Sequence, residues 1–415
     1  VINSEIENEN FKSLSAQGDL QIVNKETVLD LDLNFQKFNL GILSNIGGDV
    51  LNNIRGNVSG DARIFGNISD INYTGKLFVN DAGFTIPYLG VDYKVEQNSV
   101  VDVTKTSFNI KPTTIEDTKY ATTGNLKGNI KHKEFGQWQL DLAINTNRIL
   151  VLNTKDHEDA VYFGTAFIKG DATIKGPTNA LVIDVAAKSE QGTDIKIPIN
   201  NADAISENNY IHFITPNEKY KIKDEKTTQT NRNYNGLQMN FEFDILPNAS
   251  IEVILDRESG HGMKGSGEGT LSMNINTLGN FNMTGDFMVY KGTYNFKYGG
   301  LINKKFEVKK YGYINWDGDP FNATLNLEAV YNTNANPGVL LENTSINQKT
   351  PVEVIIGLKG TIANPEPDFD IQFPNVSSTM RAEIETKLAD KDTRSKQAIF
   401  LLSTGGFLST QGEAQ

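Results

Sequence analysis

Apolar and polar residues alternate along most of this chain, and the alternation has a period of two. Between Thr27 and Phe35, Leu29, Leu31, Leu33 and Phe35 fall on one side and Asp30, Asp32 and Asn34 on the other. A strand with one buried face reads this way, because successive side chains point to opposite sides. The same reading takes in Trp138, Leu140, Leu142 and Ile144, then Leu181, Ile183 and Val185, then Met239, Phe241, Phe243 and Ile245. It continues in Ile251, Val253 and Leu255, in Leu271, Met273 and Ile275, in Leu325, Leu327 and Ala329, and in Val352, Val354, Ile356 and Leu358. Gly, Asn and Asp, the residues of tight turns, separate these runs. The pattern predicts an all-β protein, with no long helical stretch before about residue 377.

Parts of the chain repeat. Ile71–Val79 aligns with Phe281–Val289, and Gly83–Gly90 aligns with Gly292–Gly299, at an offset close to 210 residues throughout. Gly60-Asp61-Ala62 also resembles Gly170-Asp171-Ala172. Repetition at this scale implies a strand unit reused along an elongated sheet. Residues 1–215 form the first part of that sheet and 236–376 the second. Between them, 216–235 is polar and charged and reads as a loop or insertion. After Pro374 the period changes. Ser377 can cap a helix carrying Met380, Ile384 and Leu388, and a charged break follows at Asp390-Lys391-Asp392. A second helix carries Ala398, Ile399, Leu401 and Leu402 and stops at Gly405-Gly406. These amphipathic helices over 377–405 look like a plug, cap or docking element, with 406–415 as a tail.

Composition narrows the function. The chain has 415 residues, a net charge of −12 and no cysteine. The acidic balance and the lack of a basic stripe argue against nucleic acid as a partner. The lack of cysteine removes disulfides, thiol catalysis and Cys-zinc sites, and suits an oxidising compartment. No run of about 18 apolar residues is present, so nothing reads as a membrane-spanning helix. Both ends read as cuts in a longer protein.

Candidate chemistry is thin. His132, His157, His212 and His261 lack metal-ligand spacing and read as surface histidines. Gly265-Ser266-Gly267-Glu268-Gly269 is neither a nucleophile elbow nor a P-loop, and reads as a flexible lead into the Leu271 strand. Asp317/Asp319 reads as a tight turn, and Asp30/Asp32 and Asp368/Asp370 as the wet faces of strands. No catalytic residue, metal or cofactor is expected. What stands out is the apolar stripe itself. It is either a closed core between packed sheets or the lining of an open trough. Such a trough would take acyl chains without specific contacts, since burial is worth about 0.8 kcal/mol per CH₂.

The stretch from Gly285 onward resembles the C-terminal conserved region of the TamB family, the translocation and assembly module of diderm bacteria. The resemblance rests on Gly285–Val289, Gly292–Phe296, Lys305–Val308, Gly312-Tyr313-Ile314-Asn315-Trp316-Asp317-Gly318-Asp319-Pro320 and Ala323–Ala329. Val352–Gly360, Pro365-Glu366-Pro367 and the terminal helices fit as well. The clearest part covers about residues 265–405, and the copy at Gly75–Gly90 is similar but weaker.

The resemblance implies a long curled sheet, a β-taco, with a hydrophobic groove. It implies an N-terminal helix in the inner membrane, passage across the periplasm, phospholipid as the transported ligand, and a role in outer-membrane protein assembly. It also implies docking on an Omp85-class (TamA-like) outer-membrane barrel. On this reading the groove is lined by Leu29, Leu31, Leu33, Phe35, Leu140, Leu142, Ile144, Leu181, Ile183, Phe241, Phe243, Val253, Leu271, Met273, Leu325, Leu327, Val354 and Ile356. Met380, Ile384, Leu388, Ile399 and Leu402 would dock the partner. About 20 strands at roughly 4.8 Å each give a sheet on the order of 100 Å long. Three other readings compete: a surface β-solenoid adhesin with a closed core, an outer-membrane barrel, and, more distantly, a glycan-cleaving enzyme. The helical tail argues against the barrel.

Overall fold

The computed structural model describes residues 1–8, 11–42, 51–157, 160, 162–198, 237–257, 260–276, 280–343, 345–362 and 365–409. Strands dominate. The first group is β1 (Ile2–Asn8), β2 (Phe11–Val23), β3 (Glu26–Asn39), β4 (Asn52–Asn67), β5 (Asp70–Ile86), β6 (Val91–Val95), β7 (Ser99–Thr104), β8 (Ser107–Asp117), β9 (Thr123–Lys133), β10 (Gly136–Thr154) and β11 (Phe163–Pro177). There follow β12 (Val182–Ser189), β13 (Asp194–Pro198), β14 (Gln238–Ile245), β15 (Ser250–Asp256), β16 (His261–Asn276), β17 (Phe281–Tyr298), β18 (Ile302–Val308), β19 (Gly312–Gly318), β20 (Thr324–Ala335), β21 (Thr350–Thr361) and β22 (Pro365–Gln372). Helices α1 (Ser378–Lys387) and α2 (Lys391–Thr404) come last.

All 22 described strands belong to one sheet, built by pairing each strand with those next in sequence. They fill eighteen positions, because four positions hold two strands end to end: β6 with β7, β12 with β13, β14 with β15, and β18 with β19. At about 4.8 Å per position the sheet is roughly 80 Å long. That is shorter than a count of strands alone suggests. The pairings are antiparallel except where β12 meets β14 and β13 meets β15, the one parallel step among the described strands. A parallel step needs a return connection in place of a hairpin. The polar segment expected at 216–235 lies in that connection, outside the described residues.

One line of irregularities runs across the sheet. The register shifts at Phe35/Phe38, at Asn52/Arg55/Asn57, at Ile110/Thr113, at Asn145/Arg148, at Thr146/Ile149 and at Ser266/Gly267. The four split positions break on the same line. Lys37, Asn53, Asp81, Asn98 and Tyr311 sit on it with φ between 50° and 70°. A bulge bends its strand and increases the local twist. Bulges aligned from strand to strand fold the sheet lengthwise into two walls that face each other across a trough. The repeat seen in the sequence is this unit. β5 and β17 are long strands that cross the fold line, and each is followed by a split strand, β6/β7 or β18/β19.

Glycines on the inner side permit close approach of neighbouring strands. Gly285 has φ +129°, and a Cβ there would lie 2.1 Å from the Thr270 carbonyl oxygen of β16. It faces Leu271 on one side and Trp316 on the other, so large side chains fill the space it leaves. Gly285→Ala is expected to destabilise the protein by more than about 1 kcal/mol, seen as a lowered melting midpoint. An unchanged midpoint would show that the close approach is not needed. Gly265–Gly269 serves the same purpose. It lies inside β16 and not in a flexible lead, because β16 crosses the fold line there and a Cβ on Gly267 would meet the Met288 carbonyl oxygen at 1.9 Å.

The outer face is polar and clamped. Asn34 donates to Asp61, Asn145 to Asp171, Asn240 to Asp184 and Asn315 to Asp286, each at 2.7–2.8 Å across neighbouring strands. Three of these aspartates directly follow an inner-face glycine, which accounts for the recurring Gly-Asp pair.

Helix α1 starts as expected, with the Ser377 hydroxyl accepting from the Met380 amide at 3.3 Å. The charged break is shorter than expected, because the Asp390 carboxylate caps α2 by accepting from the Thr393 amide at 2.8 Å. Gly405, at φ 78°, ends α2.

Candidate functional site: the inner face of the trough

The period-two runs come together as one surface. Strand register carries the row from Leu31 to Ile64 and Tyr73. Farther along, Leu142 lies opposite Ile174, Ile174 opposite Ile183, Ile183 opposite Met239, and Met239 opposite Ile275. Phe243 faces Leu271, Ile314 faces Leu325, and Ile356 faces Phe369. All eighteen groove residues expected from sequence lie in this sheet or, for Leu181, at the residue that leads into β12.

Burial divides them. Leu29, Leu31, Leu33, Phe35, Leu140, Leu142, Ile144, Ile183, Phe241, Phe243 and Met273 are half-buried. Leu29, Leu31, Leu33 and Phe35 belong to no core cluster, Leu140 to Phe243 pack on the edges of small clusters around Leu150 and Met239, and Met273 packs on the core of the C-terminal half. Leu181, Val253, Leu271, Leu325, Leu327, Val354 and Ile356 are buried, with Leu327 3% and Ile356 0% exposed. From about β15 onward the walls meet, and a closed core replaces the trough. Phe296 of β17 and Phe369 of β22 stack edge to face at 5.7 Å although their strands are not paired. An apolar row of one kind therefore lines an open trough first and a sealed core later.

The terminal helices make the seal. Ile384, Leu388, Ala398, Leu401 and Leu402 are buried against the sheet, and Met380 and Ile399 pack on the same cluster. All five residues expected to dock a partner are thus turned inward, onto this chain's own core. Their helical spacing identifies an apolar face but not what covers it. Phe407 reaches back to Phe373, with ring centroids 5.7 Å apart. Arg394 donates to the Phe369 carbonyl at 2.8 Å and so caps the free edge of β22.

Residues outside the period-two runs complete the second wall. Val91, Tyr93, Ile115, Leu150 and Phe167 are buried in a second cluster near the fold line. Bulges break their alternation into pieces too short to read. Tyr93 donates to the Leu150 carbonyl at 2.6 Å, and burial raises its phenol pKa. Asp117 is buried too, where its carboxylate accepts from the Lys119, Tyr120 and Thr122 amides and ties down a turn.

The other chemical candidates have structural surroundings. His132 is buried, not on the surface as expected. It stacks on Phe135 at 4.6 Å and lies beside Phe108 and Trp138, and burial lowers its pKa. His261 bonds the Tyr294 hydroxyl at 2.8 Å. His212 lies outside the described residues. The Arg63 guanidinium grips Asp30 at 2.6–2.7 Å and holds its carboxyl below the usual range. Trp316, buried opposite Gly285, donates to the Pro320 carbonyl at 3.1 Å, so the Trp-Asp-Gly-Asp-Pro signature is a turn folded against its own indole. Among the described residues, no group of three or more His, Asp or Glu could hold a metal ion, and no helix is long and apolar enough to cross a membrane.

No curated protein matches the chain. A family profile for the TamB C-terminal domain matches residues 113–415. The match spans the second half of the open trough, the sealed core and both helices, and the Trp316 turn and the Gly285 approach fall within it. The chain belongs to the TamB family, envelope proteins of the translocation and assembly module that work with an Omp85-type partner.

Proposed function

We propose that this chain is a non-catalytic lipid conduit. Phospholipid acyl chains lie along the open trough and move across the periplasm, between an inner-membrane anchor upstream of this sequence and an Omp85-class barrel at the outer membrane. The observation that carries this reading is the half-buried inner row from Leu29 to Phe243. A closed sandwich would bury these residues as deeply as Ile356. Each CH₂ group laid along them contributes about 0.8 kcal/mol, so a tail is held without a polar selector and can slide. The sealed section and its helices form the outer-membrane end and support protein assembly there. A surface adhesin is the alternative. The Asn–Asp clamps would suit one, but an adhesin core would be closed throughout.

Photo-crosslinking tests the reading. Photo-reactive residues at Leu33, Leu140 and Phe243 are expected to give phospholipid adducts in bacterial envelopes. The outward positions Asp141 and Glu328 and the sealed positions Leu327 and Ile356 are expected to give none. Adducts that are only intramolecular at Leu33 and Leu140 would defeat the conduit and favour the adhesin.

A further inference from the structure

His132 is a buried hydrogen-bond donor with no acceptor among the described residues. It is the last residue but one of β9, on the inner face, two residues beyond Ile130, which lies opposite both Phe108 and Leu140. Only 5% of the residue is exposed. The Phe135 amide donates to its Nδ1 at 3.2 Å, so that nitrogen is an acceptor and the neutral ring holds its proton on Nε2. Nε2 is the atom left without a partner. A buried donor left unmet bears the full cost of losing its water.

Rings surround it. Phe135 stacks on His132 at 4.6 Å, and Trp138 and Phe108 lie at 5.3 and 5.4 Å. Tyr73 of β5 meets Phe135 edge to face at 5.1 Å. None of these rings belongs to a core cluster. They stand at the lip of the open trough, where β9 turns into β10. The ring over His132 is held against local preference. Phe135 is 49% exposed, and Glu134 and Phe135 make the turn with φ of 51° and 56°, a left-handed conformation that bulky side chains rarely adopt.

The surroundings decide which acceptor suits this donor. Burial lowers the ring's pKa, so it offers a neutral N–H at neutral pH. A phosphate drawn in among the rings would shed its water and meet no positive charge among them. An ester carbonyl sheds far less and supplies the oxygen that Nε2 lacks. Aromatic side chains also gather where a lipid passes from apolar tail to polar head.

We propose that His132 holds the ester carbonyl of a diacyl lipid at the lip of the trough. The half-exposed Phe135 ring is turned aside, the tail runs inward past Ile130 and Leu140, and the headgroup stays outside. The proposal rests on the conduit reading and adds to it a polar contact for the lipid's midsection.

The test uses the full chain with a photo-reactive residue at Ile130, offered diacyl phosphatidylethanolamine or its dialkyl ether analogue in detergent micelles. The two lipids share headgroup, phosphate and chain length and differ in the ester carbonyls. The diacyl lipid is expected to be captured about tenfold better, as one hydrogen bond to an otherwise unmet donor implies. At Phe243, farther along the trough, both are expected to be captured alike. His132→Phe keeps a ring and removes the N–H, and is expected to bring the diacyl lipid down to the ether level at Ile130. A thermal melt shows whether this variant is folded. If it is not, the ester–ether contrast with His132 in place decides alone. Equal capture of the two lipids at Ile130, or a preference that survives His132→Phe, overturns the site. Equal capture that falls for both lipids in His132→Phe assigns the N–H to the phosphate they share and overturns the ester assignment. Capture at Phe243 without a preference at Ile130 leaves the conduit standing and removes only this site. Capture at neither position defeats the conduit itself.

Discussion

Ile356→Asp is expected to prevent folding of the sealed section, whereas Leu31→Asp leaves a folded protein that no longer holds lipid. Both residues sit in the same inner row with the same alternation, so sequence treats them alike. Ile356 is 0% exposed and packed between Ala329 and Phe369. A carboxylate there has neither water nor a cation, and such substitutions cost about 4–5 kcal/mol or more. Leu31 is half-buried, with Gly18 and Ile64 as neighbours, and an aspartate there stays hydrated. Only part of a leucine's apolar burial is given up, at a cost on the order of 1 kcal/mol. Thermal melts should show a collapsed or absent transition for Ile356→Asp and a shift of a few degrees for Leu31→Asp. Crosslinked lipid should disappear at Leu33 in the Leu31→Asp protein. Matching melts for the two variants would mean that the trough is uniform along its length.

Truncation after Ser377 has the second large effect. The helices could be a separable docking device, in which case removing them would spare the sheet. The structure favours the opposite outcome. Ile384, Leu388, Leu401 and Leu402 are each at most 4% exposed, and burying a side chain of this size contributes about 1.5–3 kcal/mol. Their combined loss rivals the whole stability of an ordinary domain, about 5–15 kcal/mol. The truncated chain would also uncap β22. Arg394 and Arg381 hold the Phe369 and Phe373 carbonyls, and without them a free strand edge is left open to aggregation. The expected result is a lower melting midpoint, binding of a hydrophobic dye and self-association. A truncated chain that melts like the full one and stays monomeric would restore the view of the helices as a docking arm. Docking through Ile384 or Leu402 themselves would require them to leave this core.

The sequence determined the strand content, the inner row and the helix starts, because these rest on local rules. Side chains alternate along a strand, serine and aspartate cap helices, and glycine ends them. The Gly285–Ala329 signature was legible for the same reason, since its turn closes within five residues, from Trp316 to Pro320. Tertiary structure decided which stretch of the row is open and which is sealed. Leu140 and Leu327 have the same local pattern and differ only in what stands across the trough. That depends on where the walls converge, and contacts such as Phe296 with Phe369 join residues far apart in the chain. The fold line was hidden as well. A bulge shifts the period by one residue, so Tyr93, Phe167 and Tyr294 dropped out of the pattern even though they are buried. The alternation of a strand records which side of the sheet is apolar. What meets that side is set by how the sheet bends and by what lies across from it, and here the bend and two terminal helices close one end and leave the other open.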